Sequence, residues 1–383
     1  MRVLHLYSGN LYGGVETLLV TLARYRHLCP NMEPHYGLCF EGRLSEELRA
    51  SEVAVHYLGN VRVRRPLSVL KSRSRLKDLL RREQFDIAVC HSAWSQAIFG
   101  PILRGEGLPL VFWLHDAIDG RHWLERWAQL TPPDVAICNS YFTKDSLQTL
   151  YPRVRSEVIY CPVALPEVRY RKSDRAVIRQ DLGTSIDTTV VIQVSRMEPW
   201  KGHRLHLQAL SRLTDLPNWV CWIVGGAQRS YESEYFRQLI DMASRLGLSE
   251  RVRFLGQRLD VPRLLAAADI HCQPNLGPEP FGITFVEALL AGLPVITTDI
   301  GGAKEIVESS CGLLVQPKNE DALAKALRKV IASPVLRAEL GSAGPARAAQ
   351  LCQPVAQMKS LRSLLFKYLK QSKAAYELSA AKH

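Results

Sequence analysis

The chain has 383 residues, more than one hydrophobic core usually organises, so we expect two domains. With 47% hydrophobic and 22% charged residues it has the composition of a globular protein, which excludes an intrinsically disordered chain. Its net charge of +12 favours an anionic partner, such as an anionic substrate, a membrane surface or nucleic acid.

No apolar run approaches the length of a membrane span, and the first ten residues turn polar too soon for a signal peptide. We therefore predict a cytoplasmic protein. The nine cysteines are odd in number and form no CxxC pair, so neither disulfides nor a zinc site is expected. Five of them lie in or beside apolar runs, where cysteine acts as a small hydrophobe: Cys39, Cys90, Cys138, Cys221 and Cys272.

In the first half of the chain, short apolar runs alternate with segments of helical period. This alternation predicts βαβ units and a parallel sheet covered on both faces. The predicted strands are Val3–Tyr7, Tyr36–Phe40, Val53–Leu58, Ile87–His91, Leu110–His115 and Val135–Asn139.

The first predicted strand is followed by SGNLYGG, in which Gly13 and Gly14 directly precede a helical segment. Glycines at a helix start let an anion approach the free N–H groups of the first turn. Their spacing is not that of the dinucleotide fingerprint GxGxxG. A phosphate-binding loop and a simple tight turn are the two interpretations.

Residues 61–82 carry nine basic side chains and one acidic side chain. We predict an amphipathic helix over Pro66–Arg82. Its apolar side chains are Leu67, Leu70, Leu76, Leu79 and Leu80, and its basic ones are Lys71, Arg73, Arg75, Lys77, Arg81 and Arg82. The helix either covers the sheet with a solvated basic face or docks on anionic lipid. No aromatic residue interleaves with the charges, so nucleic acid is not expected.

The segment 158–175, rich in charge and proline, is predicted to be a linker, and a second series of strands follows it. Helices separate these strands, and the last ~35 residues are helical, with Pro334 and Pro354 as starts or breaks. Two copies of one doubly wound architecture would bind ligands at the carboxyl ends of their strands. The strands of the second series are Val190–Val194, Val220–Val224, Val252–Leu255, Ile270–Gln273, Pro294–Thr298 and Gly312–Val315.

The loop after the strand ending near Val194 contains Arg196 and Lys201, and Gly202 opens the next helix. A planar guanidinium and a compact ammonium on one strand-to-helix loop suit a diphosphate. The alternative is a pair of solvated loop cations.

Two carboxylates lie in the stretch GPEPFGITFVEALLAG, which contains a further predicted helix. Glu279 lies in a loop broken by proline and glycine, and Glu287 lies about one turn into a helix that begins near Ile283 and stops at Gly292. Both can face the space above the helix N-terminus, where carboxylates accept hydrogen bonds from hydroxyls. A sugar and a ribose joined through a diphosphate fit this pattern. The alternative is a loop charge and a partly exposed helix residue.

These motifs together resemble glycosyltransferase family 4. The resemblance rests on Glu279-x7-Glu287 with EPFG inside it, on Arg196 with Lys201-Gly202, and on Gly13-Gly14-Val15-Glu16, and it runs from residue 1 to about residue 350. It implies the GT-B architecture, with two Rossmann-like domains facing across a cleft and a C-terminal helix crossing back to the first domain. The expected domains are 1–165 for the acceptor, 166–350 for the nucleotide-sugar donor and 351–383 for the returning helix.

The resemblance also implies roles for individual residues. Arg196 and Lys201 would bind the donor diphosphate, and Glu287 would bind the ribose. The transferred sugar would contact Glu279 and the backbone of Phe281, Gly282 and Ile283. The loop of Gly13 and Gly14 would approach the phosphates and the acceptor. His115, at the end of VFWLH, would lie near the reacting sugar, although an isolated histidine is also a common core residue.

The expected function is therefore retaining transfer of a hexose-type sugar from a nucleotide-diphosphate sugar to an acceptor hydroxyl. The sequence has no Asp-x-Asp pair to hold a metal, so Arg196, Lys201 and helix N–H groups would neutralise the leaving group. The acceptor is a glycan, a lipid-linked glycan or a small molecule, which fits cell-envelope glycan or glycolipid synthesis at the inner face of the plasma membrane.

Two other functions stay open. One is a sugar isomerase or phosphorylase on the same scaffold, because a fold does not fix a function. The other is a non-catalytic protein that binds glycan or anionic lipid. An oxidoreductase is not expected, because neither half has the dinucleotide fingerprint.

Overall fold

A computed structural model describes residues 1–163 and 172–380. The chain forms two compact units. One comprises Met1–Val163 together with Cys352–His383, and the other comprises Ala164–Leu351. The predicted domain boundary between residues 165 and 166 lies outside the described residues.

The N-terminal unit contains a seven-stranded parallel sheet in the order β3-β2-β1-β4-β5-β6-β7. The order reverses between β1 and β4, which makes the sheet doubly wound, as predicted. Its strands are β1 Arg2–Tyr7, β2 Glu33–Leu38, β3 Ala54–Tyr57, β4 Ile87–His91, β5 Leu110–Leu114, β6 Val135–Cys138 and β7 Ser156–Val158. Its helices are α1 Gly14–Arg24, α2 Arg43–Ala50, α3 Pro66–Arg82, α4 Ser92–Gly105, α5 Trp123–Gln129 and α6 Tyr141–Leu147.

The C-terminal unit repeats this plan with six parallel strands in the order β10-β9-β8-β11-β12-β13. The order reverses between β8 and β11, so the loops after these two strands meet at the switch point. The strands are β8 Thr189–Val194, β9 Trp219–Val224, β10 Val252–Gly256, β11 Ile270–Gln273, β12 Val295–Thr298 and β13 Gly312–Val315. The helices are α7 Lys172–Asp181, α8 His203–Ser211, α9 Ser230–Arg245, α10 Val261–Ala267, α11 Ile283–Leu290, α12 Ala303–Ile306, α13 Glu320–Ala332 and α14 Pro334–Cys352.

The last helix, α15 (Pro354–Ala380), belongs to the N-terminal unit, as predicted. The thiol of Cys29 donates to the carbonyl of Met358 at 3.4 Å, and Lys367 forms an ion pair with Glu157 at 3.2 Å. Leucines of one helix face are buried here: Leu361, Leu364 and Leu365. The apolar face of α15 therefore completes the core of the unit that begins the chain.

The predicted strands of both series are present, but the segment 158–175 is only partly a linker. Val158 ends the edge strand β7, and α7 begins at Lys172. The strand Ser156–Val158 is half-buried throughout and contains a glutamate, so it lacks the apolar alternation that marks a strand in sequence. All nine cysteines are buried and unpaired in the structure. Within the residues that the structure describes, we find no helix with the length and apolar character needed to span a bilayer.

Helix α3 has the predicted bounds, but its buried face is not the predicted one. Val69, Ser72, Leu76 and Leu79 are buried at spacings of three and four residues, the period of a single helix face. Leu67 and Leu70 lie off this stripe and are 71% and 58% exposed. The predicted apolar face is therefore wrong for these two leucines.

Arg73 is not a solvated cation of α3 either. Its Nε donates to the carbonyl of Ile98 at 2.7 Å, and its Nη2 donates to the carbonyl of Ala97 at 3.1 Å. Burial lowers the pKa of the Arg73 guanidinium. This side chain ties α3 to α4 and is structural.

Candidate functional site

The loop after β8 is fixed against the loop after β11 by a glycine. Gly202 has a φ of +77°, and a Cβ there would lie 1.8 Å from the carbonyl oxygen of Pro274. Only glycine fits such a close approach at this backbone conformation. The contact places Lys201, immediately before Gly202, next to the segment that follows β11.

Lys201 and Glu279 form an ion pair, with Nζ and Oε2 2.7 Å apart. Glu279 also accepts hydrogen bonds from Asn275 Nδ2 at 3.1 Å and from Gln273 Nε2 at 3.4 Å. The Lys201 ammonium lies 3.9 Å from the centre of the Trp200 ring. The sequence predicts separate roles for Lys201 and Glu279, on the diphosphate and on the sugar, and the structure joins the two side chains directly.

The backbone of Glu279 is held by the glycine pair that follows β12. Gly302 donates its N–H to the carbonyl of Glu279 at 2.7 Å. Gly301 has a φ of +66°, and a Cβ there would lie 2.5 Å from the same carbonyl oxygen. The loops after β8, β11 and β12 therefore converge on one glutamate.

Helix α11 begins at Ile283, after Gly282 at a φ of +106°, as predicted. Phe281 is buried, while Ile283 is partly exposed. The first turn of this short helix directs its N–H groups to the side from which Glu279 enters. The predicted backbone contacts Phe281, Gly282 and Ile283 thus adjoin the Glu279 carboxylate in one continuous segment.

Glu287 lies in the second turn of α11 and is partly exposed. The surrounding protein removes water from its carboxyl group and so raises the pKa of that group to about 7. Among the residues that the structure describes, none donates a hydrogen bond to this carboxylate. A ligand that supplies hydroxyl donors would therefore meet an acceptor whose hydrogen-bonding capacity is unused.

Arg196 is held by two carboxylates. Its Nη2 lies 2.7 Å from Glu232 Oε1 and 3.2 Å from Glu198 Oε1. Glu232 is buried at the start of α9 and accepts from the backbone N–H of Gln228 at 2.6 Å. Burial alone would raise the pKa of Glu232, but the hydrogen bonds from Gln228 and Arg196 lower it below its usual value.

The sequence does not predict four of these side chains as site residues: Glu232, Gln273, Asn275 and Trp200. Gln273 ends β11, and Asn275 lies just beyond it, at the strand end where ligands of such sheets bind. The rule that identified Lys201 could have identified both of them. Nothing in the sequence around Glu232 links it to Arg196, 36 positions away.

In the N-terminal unit, the predicted glycine loop precedes α1, which begins at Gly14. The N–H of Gly13 donates to Glu16 Oε2 at 2.8 Å, and the Tyr7 hydroxyl donates to the other oxygen of Glu16. Glu16 thus satisfies one N–H of this helix end, and Gly14 is exposed. An anion here would use the remaining N–H groups of the first turn.

His115 follows β5 directly and is buried. Its Nε2 lies 2.9 Å from His91 Nδ1. Burial lowers the pKa of His115 to about 3, so the ring is neutral. Like Gly13 and Gly14, it belongs to the N-terminal unit, whereas the other predicted site residues belong to the C-terminal unit.

One group of histidine and carboxylate side chains in the described part of the chain has metal-ligand spacing. His35, His56 and Glu83 offer atoms within 4.8 Å of one another. The guanidinium of Arg2 lies 2.5 Å from Glu83 and 3.2 Å from His35 Nε2, so a cation already neutralises the carboxylate. No predicted site residue belongs to this group. An adjacent cavity of about 560 Å³ is lined by Arg2, His56, Leu79, Arg82, Glu83 and Gln84.

Two family models match the chain. The model described as "Glycosyl transferases group 1" matches residues 174–347, and the model described as "Glycosyltransferase Family 4" matches residues 12–166. The first match lies within the C-terminal unit, and the second covers most of the N-terminal unit up to Val163 and ends three residues beyond it.

Among curated relatives, the GDP-mannose-dependent monoacylated alpha-(1-6)-phosphatidylinositol monomannoside mannosyltransferase of Corynebacterium glutamicum is 34% identical over 182 residues. That match covers 45% of this chain and 46% of the relative. The lipopolysaccharide glucosyltransferase WaaG of Escherichia coli is 31% identical, with 46% and 47% covered. The chain thus spans about half the length of the curated relatives it matches.

Among solved structures, the Anabaena protein HepE in complex with UDP and glucose superposes with a TM-score of 0.85 at 28% identity. The superposition covers 96% of this chain and 100% of HepE. It confirms the predicted fold class, two Rossmann-like domains of the GT-B type.

We expect Gly301→Ala to lower the free energy of unfolding much more than Gly183→Ala. Both glycines have positive φ, +66° and +58°, so each alanine costs about 1 kcal/mol of backbone strain. At position 301 the new Cβ would also overlap the Glu279 backbone, which adds about 1–3 kcal/mol. The nearest atom at position 183 is a side-chain nitrogen at 3.5 Å. Urea unfolding of both variants measures the difference, and equal losses would refute the packing of these loops.

Proposed function

The chain belongs to glycosyltransferase family 4, and from this premise we propose that it transfers a hexose-type sugar from a nucleotide-diphosphate sugar to an acceptor hydroxyl. The observation that carries the proposal is the Lys201–Glu279 pair at the switch point of the C-terminal sheet, beside the N-terminus of α11. A cation, two carboxylates and helix N–H groups match the parts of a nucleotide sugar. The UDP and glucose bound to HepE and the GDP-mannose in the name of the corynebacterial relative support this donor class.

The ion pair suggests how the donor enters. The Lys201 ammonium has three donor hydrogens, so it can turn toward a diphosphate while it keeps one bond to Glu279. Arg196 has only part of its guanidinium engaged by Glu232 and Glu198, and it can add a second cationic contact. Glu279 then accepts hydrogen bonds from the hydroxyls of the transferred sugar.

The chemical step that we propose is substitution with retention at the anomeric carbon. The bond from the sugar to the diphosphate breaks, and the acceptor oxygen attacks from the same face. The departing phosphate oxygen takes the acceptor's proton. Lys201, Arg196 and the N-terminal N–H groups of α11 stabilise the charge of the leaving group, so this mechanism needs no metal ion.

Glycolipid or cell-envelope glycan synthesis is the setting that we propose. The names of two relatives include phosphatidylinositol monomannoside and lipopolysaccharide. The isomerase, the phosphorylase and the non-catalytic binding protein are the alternatives, and the following experiment distinguishes the last two from a transferase.

We expect the protein to release nucleotide diphosphate from one member of a panel that contains UDP-glucose, UDP-galactose, GDP-mannose and their N-acetyl analogues, with water taking the sugar in the absence of an acceptor. Release should continue in excess EDTA, because Lys201 and Arg196 supply the positive charge. Product nucleotide is measured by a coupled assay and donor binding by thermal shift. Loss of turnover in EDTA that Mn²⁺ restores would overturn the metal-free mechanism. Binding without turnover would favour the non-catalytic protein, and sugar phosphate as the product would favour a phosphorylase.

Glu287→Gln and Glu279→Gln should have separable effects. Glu287→Gln should weaken nucleotide diphosphate binding by about 1.5–3 kcal/mol, the usual worth of hydrogen bonds to a charged group. Glu279→Gln should leave that affinity nearly unchanged and lower kcat, because contacts with a sugar that gains positive charge act on the transition state. Calorimetry with the product nucleotide and steady-state kinetics measure the two effects.

The pH dependence of nucleotide affinity gives a further test of whether Glu287 contacts the nucleotide. Glu287 has a pKa raised to about 7 by burial, and ribose hydroxyls favour its charged form. Affinity in the unmodified protein should therefore rise from about pH 6 to about pH 8. The ionisation of the nucleotide phosphate affects both proteins equally, so Glu287→Gln should lose only the contribution of Glu287. Parallel pH profiles would show that Glu287 does not contact the ligand.

Docking of α3 on anionic lipid is a second part of the proposal. Leu67, Leu70 and Lys71 are exposed on the first two turns of α3, and Arg64 and Arg65 are exposed just before the helix begins. Apolar side chains among cations fit the boundary between lipid headgroups and acyl chains. Arg73 is excluded from this surface because it binds the backbone of α4.

We expect the protein to bind vesicles that contain phosphatidylglycerol and to leave them at high salt. Replacing Arg64, Arg65 and Lys71 with glutamate should abolish binding without changing donor affinity. Replacement of Lys318, Lys325 and Lys329, exposed residues of the C-terminal unit, changes the net charge equally and should have little effect. Sedimentation with neutral and anionic vesicles measures both variants. If both variants lose vesicle binding equally, net charge alone explains the binding, and docking through α3 is refuted.

A further inference from the structure

Three histidines form a continuous hydrogen-bonded chain across the N-terminal sheet. His5 lies on β1, His91 ends β4, and His115 follows β5. His5 Nδ1 lies 3.0 Å from His91 Nε2, and His91 Nδ1 lies 2.9 Å from His115 Nε2. Only the first and last rings retain a nitrogen outside these bonds.

The strand register explains why the three rings meet. In the sheet, His5 is opposite Val89, two residues before His91, and His91 is opposite Trp113, two residues before His115. Side chains two residues apart lie on the same face of a strand. Each step to the next strand therefore advances the chain of rings by one pleat on a single face.

The rings are oriented for hydrogen bonding. The ring centres of His91 and His115 are 5.2 Å apart, and the ring planes differ by 7°. The distance between the ring centres exceeds the 2.9 Å between His91 Nδ1 and His115 Nε2 by about two ring radii. The two nitrogens therefore lie on the line between the ring centres and point at each other. The corresponding values for His5 and His91 are 5.2 Å and 30°. Tyr36 stacks on His5, and Trp113 stacks on both His91 and His115, which fixes the rings from the side.

Burial keeps all three rings neutral, since it lowers the pKa of His5 and of His115 to about 3 and that of His91 well below its usual value. A neutral imidazole has one N–H donor and one acceptor nitrogen. His91 uses both nitrogens, so it must donate to one neighbour and accept from the other. If it donates to His115, then His115 has its hydrogen on Nδ1. If it accepts from His115, then His115 Nδ1 is an acceptor.

We propose that His91 and His5 are positioning residues that set the tautomer of His115, and with it whether His115 Nδ1 donates to or accepts from a substrate hydroxyl. The inference rests on the proposed function and on the role that the family resemblance implies for His115, which is to lie near the reacting sugar. The other ring nitrogen of a histidine determines which nitrogen presents the hydrogen. The partner of the other nitrogen of His115 is His91, and His91 is in turn hydrogen-bonded to His5. If His115 Nδ1 is a donor, His5 Nε2 must therefore be an acceptor.

Nitrogen-15 NMR of protein with labelled histidine tests, without any substrate, whether the hydrogen-bonded row of His5, His91 and His115 (the histidine relay) sets the tautomer of His115. In the unmodified protein, we expect His115 to give two well-separated ring resonances, one for a protonated and one for an unprotonated nitrogen. In His91→Phe these should move together, because the ring then exchanges between tautomers. His91→Asn keeps an amide near the Nδ1 position and should restore a single tautomer. Trp113→Phe keeps the stacking and removes an N–H without a partner in the described chain, so it should leave the resonances separate.

The distant residue gives the decisive variant. His5→Phe retains the stacking on Tyr36 and does not touch His115, yet it should alter the His115 resonances. With the donor that the panel identifies, His5→Phe and His91→Phe should lower kcat by about tenfold, the effect of about one hydrogen bond, with little change in the donor KM. Trp113→Phe should keep kcat.

Unchanged His115 resonances in both His5→Phe and His91→Phe would overturn the proposal. So would tautomer changes that leave kcat intact in an active enzyme. If no donor is turned over, the proposed function fails, while the resonances still decide whether the relay sets the tautomer. If His91→Phe does not fold, His5→Phe and His91→Asn carry the test.

Discussion

The carboxylate of Glu279 is the point on which the ordered loops of the C-terminal unit depend. Lys201 reaches it from the loop after β8, and Gln273 and Asn275 reach it from β11 and the loop that follows. Gly302 binds the backbone of the same residue from the loop after β12. A buried carboxylate is stable only with such partners, so three loops are ordered by the need to satisfy one charge. A ligand that binds at this point would therefore meet side chains whose positions are already fixed.

In the proposed reaction, the donor would bring an anionic diphosphate to Lys201 and neutral hydroxyl groups to Glu279. Lys201 has three donor hydrogens, so it would bind the diphosphate while it keeps one bond to Glu279. The two parts of the donor would thus meet two side chains that already contact each other. A substrate in which sugar and diphosphate are joined fits this arrangement, as we propose.

Periodicity predicted most of the fold because parallel strands buried on both faces are continuous apolar runs, as in Leu110–Leu114 and Trp219–Val224. It failed at β7, whose half-buried residues lack that signal, and at the first turns of α3. There the composition suggested a leucine face, but Val69 and Ser72 occupy the core instead.

Strand ends could be predicted too, which is why Lys201, Glu279 and His115 were singled out. Contacts between distant segments could not be predicted, because pairs such as Arg196–Glu232 and His91–His115 depend on strand register and on loop closure. From its sequence position alone, His115 is as consistent with an ordinary core residue as with a site residue. The register of three strands places it at the end of a row of three hydrogen-bonded histidines.

The return of α15 to the N-terminal unit has a consequence for synthesis of the protein. The C-terminal unit, Ala164–Leu351, is an insertion between two parts of the other unit. On the ribosome it can fold as soon as it emerges, whereas the earlier unit must wait for Leu361, Leu364 and Leu365 to cover its core. Until then it exposes an apolar surface that chaperones would recognise. Expression of residues 1–163 alone would leave that surface permanently uncovered.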